Sequence, residues 1–109
     1  SAASDVYKRQ CWNCNDNVKN PWYSVTLERE KPFNMIVITD RNNDRLQEYS
    51  LEYRTGNTWK TLFEGKAPTS QRVKIHRFDT VWGDAVRMKV QKSNGTASIA
   101  EFGIYCERK

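Results

Sequence analysis

Between Trp22 and Tyr105 the chain offers only short apolar runs, and none has the spacing of about 3.6 residues that marks an amphipathic helix. Tyr23, Val25 and Leu27 alternate with Ser24, Thr26 and Glu28, the pattern of a half-buried strand. Met35-Ile36-Val37-Ile38 is continuously apolar and reads as a central strand covered on both sides. Tyr49, Leu51 and Tyr53 alternate with polar neighbours, and Gly56-Asn57 turns the chain into a strand over 58–63. Val73 with Ile75, then Val86 with Met88 and Val90, and finally Phe102 with Ile104 mark the later strands. Asn43 to Gln47 forms a turn at most, and Pro21, Pro32 and Pro68 are expected between strands, where a missing amide hydrogen does no harm. The pattern predicts an all-β, antiparallel β-sandwich whose loops rather than its core carry function.

A chain of 109 residues is one domain and can bury a core without a metal or disulfide to hold it. No apolar run reaches membrane-spanning length. The net charge is +5, but basic residues are interspersed with acids, as on a solvated surface. Nucleic-acid binding asks for a basic stripe with aromatic platforms, which the sequence lacks. Cys11 and Cys14 have CxxC spacing, yet zinc needs two further ligands and only Cys106 and His76 are on offer. A thioredoxin-like role requires a helix start in an α/β fold. A Cys11–Cys106 bridge suits an exported protein, although three cysteines cannot all pair. His76 lies inside a predicted strand with no nucleophile implied beside it, and the carboxylates are scattered over strand faces and turns. The residues therefore favour a binding module over an enzyme.

Asp5-Val6-Tyr7-Lys8-Arg9-Gln10 resembles the translation of a transposase adapter used in sequencing libraries, and Ser1 to Ser4 fit its flank. Residues 1–10 are accordingly expected to be foreign, disordered and packed against nothing, with the module occupying 11–109. If each strand crosses the sandwich once, successive loops lie at opposite ends. One end then gathers 13–22, 40–46, 64–70 and 92–96, and the other gathers 29–32, 55–56 and 79–84. The first end is the richer in groups that hydrogen-bond neutral polyols: Asn15, Asp16, Arg41, Asn42, Asn43, Lys66 and Asn94. Any ligand site belongs there. Trp22 offers either an apolar face for a sugar ring or a core side chain, and Trp12 and Trp59 read as core.

Several ordered pieces carry a family resemblance: Trp22-Tyr23-Ser24-Val25-Thr26-Leu27, Phe33-Asn34 with Ile36 and Ile38, Tyr49-x-Leu51-Glu52-Tyr53, Gly56-x-x-Trp59-Lys60 and Val86-Arg87. Ala97-Ser98-Ile99-Ala100-Glu101-Phe102-Gly103-Ile104-Tyr105 closes the set. Over Cys11 to Tyr105 the chain resembles the discoidin, or factor V/VIII type C, family with its galactose-binding-like jelly roll. It is most similar to family 32 carbohydrate-binding modules and to the module that follows the catalytic barrel in bacterial α-L-fucosidases. The resemblance implies a glycan or oligosaccharide ligand, an upstream catalytic domain in the same chain, and a periplasmic or extracellular setting. It assigns Arg41 to sugar hydroxyls, through a planar fork that fits a vicinal diol, and Glu101 to a structural calcium site. The family's opening strand and Asp-Gly loop are missing, so the module is expected to be incomplete at its N-terminus and to have lost the calcium. Leu27-Glu28-Arg29-Glu30-Lys31 also departs from the family's Asp-Leu-Gly turn.

Overall fold

The computed structural model describes residues 10–12, 22–40, 46–94 and 99–107. It contains strands β1 (Gln10–Trp12), β2 (Trp22–Asp40), β3 (Leu46–Thr55), β4 (Thr58–Lys66), β5 (Val73–Ser93) and β6 (Ile99–Tyr105). All pairings are antiparallel, in the order β1-β2-β5-β3-β4, with β6 added to the far half of β2. No helix occurs among the described residues. Gln10, placed by sequence in the adapter-like segment, pairs with Ser24. Residues 1–9 lie outside the described residues.

Two strands are far longer than the alternation suggested. β5 has 21 residues, which fully extended would run roughly 70 Å, whereas the longest axis of the molecule is 35 Å. β2 and β5 must therefore fold back together, and the breaks in their shared register, between Thr26 and Lys31 and between Phe33 and Met35, mark where they do so. The bend creates the sandwich. One layer holds β1, β2 over 22–27, β5 over 85–93, β3 and β4; the other holds β5 over 73–77, β2 over 35–40 and β6.

The segments expected as loops at 29–32 and 79–84 are thus strand. Lys31, Pro32 and Phe33 pair with Gly83, Trp82 and Val81 through the bend. Pro32 sits inside β2 rather than between strands, tolerated because it lies between the two irregularities. The turn at Gly56-Asn57 forms as expected, with both residues at positive φ, the conformation of a tight two-residue hairpin.

The core lies between the layers. Tyr23, Val25, Leu27, Leu51, Val86, Met88 and Val90 face Ile36, Ile38, Phe102 and Ile104 from the opposite sheet. Phe33 and Tyr53 meet edge to face at 6.2 Å, and Phe33 and Phe78 at 6.1 Å, closing the core near the bend. Polar groups also cross the gap. Tyr49 on β3 bonds His76 on β5 at 2.5 Å, and Phe63 stacks on the imidazole at 4.4 Å. Burial lowers the His76 pKa to about 4, and burial raises that of Tyr49. Both groups are thus neutral, and the Tyr49 hydroxyl and Nε2 share one hydrogen bond whose direction follows the imidazole tautomer.

Trp59 corrects the sequence reading. It is half-buried but outside the core cluster, on the outward side of β4 opposite Arg54, with the Arg87 guanidinium 3.9 Å from its ring centre. Trp82, 58% exposed, stands at the bend.

Candidate functional site

The strand ends assemble a polar rim. β2 finishes at Asp40, fully buried, whose carboxylate accepts a hydrogen bond from the Leu46 amide at 3.0 Å and so ties together the two ends of segment 41–45. The Asp40 amide donates to the Arg72 carbonyl, and Arg72 Nε donates back to the Asp40 carbonyl, each at 2.9 Å. Lys74, a lysine with no exposed surface, points inward and then reaches the Gln71 carbonyl at 2.6 Å. An isolated buried ammonium would be costly; this bond, to the connection before β5, compensates it. The Ala67 amide donates to the Gln47 carbonyl at 2.8 Å and holds the end of β4 against the start of β3. Together these bonds give the rim fixed posts.

Between the posts lies a groove of about 340 Å³ lined by Leu46, Gln47, Glu48, Lys66, Ala67, Thr69, Ser70 and Lys92. Lys66 and Lys92 both flank Glu48, the one paired across β4 and the other across β5. The lining offers amide, hydroxyl, ammonium and carboxylate groups within one shallow hollow, the mixture that holds a neutral polyol by many weak hydrogen bonds.

The structure brings part of the predicted set together. Lys66 lines the groove, and exposed Asn94 follows Ser93, which pairs with Leu46 at the same end. The opposite end holds the 55–58 turn, where Glu30 accepts from the Gly56 amide at 3.1 Å, and the Arg54–Asp84 ion pair at 2.8 Å. Among the described residues, the two ends thus sort as the threading argument required. Asn15, Asp16, Arg41, Asn42 and Asn43 lie outside the described residues. Trp22 is half-buried on the outer face of the five-stranded layer, where it pairs with Lys89.

Sequence reasoning missed Gln47, Glu48, Thr69, Ser70 and Lys92. Gln47 ended the segment read as at most a turn, and Glu48 opened the strand read after it as scaffold. Lys92 and the Thr69-Ser70 pair lay in the right loops, but only pairing register shows that they converge.

Glu101 is exposed on β6 opposite Thr39. No cluster of three or more His, Cys, Asp or Glu side chains able to hold a metal occurs among the described residues. Cys106 is a free, half-buried thiol. No helix of the described residues is long and apolar enough to cross a membrane.

Comparison with known proteins agrees with the architecture. The F5/8 type C domain model matches residues 1–102. Solved structures that the chain resembles include a putative α-L-fucosidase from Bacteroides thetaiotaomicron VPI-5482, at TM-score 0.78 and 22% identity, covering 98% of this chain and 23% of that one. A Ruminococcus gnavus GH29 fucosidase in complex with fucose gives TM-score 0.75 and 25% identity, over 92% of this chain and 20% of that one. The family 32 carbohydrate-binding module of C. perfringens NanJ, in complex with galactose, gives TM-score 0.71 and 23% identity, over 89% and 74%. The chain therefore spans between a fifth and a quarter of these fucosidases and most of the isolated module. A sequence comparison with curated proteins finds no match. The strand pattern, the antiparallel galactose-binding-like sandwich and the family match agree: this chain belongs to the F5/8 type C, or discoidin, domain family.

Proposed function

We propose that the chain is a non-catalytic carbohydrate-binding module of a bacterial glycoside hydrolase with an α-L-fucosidase-like parent, and that it keeps the catalytic domain near its glycan. The observation that carries this reading is the rim groove, which places Lys66 among amide, hydroxyl and carboxylate groups at the end where segment 41–45 is anchored. In this reading Arg41, Asn42, Asn43, Asn15 and Asp16 supply further hydrogen bonds. The solved relatives that bind fucose or galactose support the ligand class. A shallow polar site binds weakly, with Kd from about 1 mM to about 0.05 mM. Tethering then acts by raising the local concentration of substrate.

The test is a glycan array followed by calorimetry with fucose- and galactose-terminated oligosaccharides. Arg41→Ala and Lys66→Ala are each expected to weaken binding at least about tenfold, the lower worth of one hydrogen bond to a charged group. Unchanged affinity in both would remove the rim as the site.

A second reading is favoured by the outer face of the three-stranded layer. Val73 and Ile75 are 42% and 44% exposed there, beside half-buried Val37 and Met35, and the Tyr105 ring lies across Gly103 in the same surface. A contiguous apolar patch of this kind suits packing against another domain, so the module would also brace its catalytic neighbour.

A further inference from the structure

The outer face of the five-stranded layer carries a second hollow, unconnected to the rim groove in its lining. Pairing register sets its outward side chains in rows: Thr26, Ala85, Arg54 and Trp59; then Ser24, Arg87, Glu52 and Thr61; then Trp22, Lys89, Ser50 and Glu64. The Arg87–Glu52 pair thus forms the middle of the surface, with indoles at two of its opposite corners. Between them lies a trough of about 300 Å³ lined by Trp22, Thr26, Ala85, Arg54, Arg87 and Trp59.

Its charges are settled internally. Arg87 Nε bonds Glu52 at 2.6 Å, and Arg54 Nε bonds Asp84 at 2.8 Å. Burial alone would raise the Glu52 pKa, but Arg87 and Lys89 outweigh it and hold the carboxyl below its usual range. Each guanidinium commits one of its five N–H donors to that bond. Arg87 is also stacked on Trp59, so indole and guanidinium are fixed before any ligand arrives.

From this arrangement we propose that the outer sheet face is a second glycan-binding surface, taking an uncharged polysaccharide chain laid across the strands. Such a chain presents apolar C–H faces that cover an indole, and hydroxyls that accept from compensated guanidinium groups and exchange hydrogen bonds with the exposed Thr26 hydroxyl. An anionic chain gains little, because each trough cation already has its carboxylate. The rim would then engage chain ends and the trough chain interiors, two contacts on one module.

The test uses the whole chain, labelled with nitrogen-15, titrated with galactomannan and xyloglucan as uncharged polymers and polygalacturonate as the anionic comparison. The indole N–H signals of Trp22 and Trp59 are expected to move with an uncharged polymer and to stay in place with free galactose or fucose. Trp22→Ala and, as a variant that fills the trough without touching the core, Thr26→Gln are each expected to weaken polymer binding about tenfold. Lys66→Ala is expected to leave the indole shifts intact, which separates this surface from the rim. Indole signals unmoved by both uncharged polymers, or moved only by polygalacturonate, overturn the proposal. Unchanged polymer affinity in folded Trp22→Ala and Thr26→Gln does the same.

Discussion

His76 shows how one residue ties packing to pH. Its imidazole is 8% exposed, shares a hydrogen bond with the Tyr49 hydroxyl and stays neutral in the fold, with its pKa lowered from 6.5 to about 4 by burial. In the unfolded chain it takes up a proton as pH falls through about 6.5, while the folded chain resists until about pH 4. The stability it contributes is therefore complete above 6.5 and is lost progressively between those values. Thermal melts at pH 7.5, 6 and 4.5 are expected to show a steeper fall for the native chain than for His76→Gln, which keeps an acceptor for Tyr49 without titrating. Equal slopes would show that His76 is not what titrates. From sequence, His76 read as a strand residue with no nucleophile implied beside it. Its partner was hidden because Tyr49 and His76 are distant in the chain and meet only across the two sheets.

At the scale of the element, alternation placed the strands but not their continuity. The runs around Val25 and Ile36 share β2, and those around Ile75 and Met88 share β5. Exposed, charged residues 28–30 broke the apolar pattern, although the backbone there keeps its extended form and resumes pairing at Lys31. Pattern reports burial, and a bend is where burial lapses while hydrogen bonding continues. Trp59 was misplaced for a related reason: one dimension cannot show which side of β4 faces the core once a bulge between Leu51 and Glu52 shifts the register. The bend also makes a local prediction. A Cβ on Gly83 would stand 2.9 Å from the Arg54 carbonyl oxygen and 3.1 Å from the Tyr53 ring, and a backbone oxygen cannot swing aside. Gly83→Ala is expected to cost about 1–3 kcal/mol, read as a lowered urea midpoint at unchanged slope. A variant as stable as the native chain would mean that the strands separate there freely.

For the whole molecule, loop placement was legible because it follows from threading alone: Lys66, Asn94 and the posts of segment 41–45 do share one end. The groove lining was not, since it depends on which strand neighbours which. The two outer faces differ in kind, one a mixed aromatic and polar surface and the other an apolar patch around Ile75. Replacing Val73 and Ile75 together by lysine is expected to leave the stability of the isolated chain within about 0.5 kcal/mol, as exposed positions usually do. In a full-length enzyme the same pair is expected to lower the melting temperature if the patch braces a neighbouring domain. No change in that setting would count against the bracing role.

The doubling back of β2 and β5 has a mechanical consequence. Both layers are made from the same two ribbons, so a pull at the rim is carried through continuous backbone to the hairpin side. A binding surface mounted on such a frame behaves as a rigid hook. If the rim holds a glycan as proposed, force on it would reach the rest of the protein through that backbone.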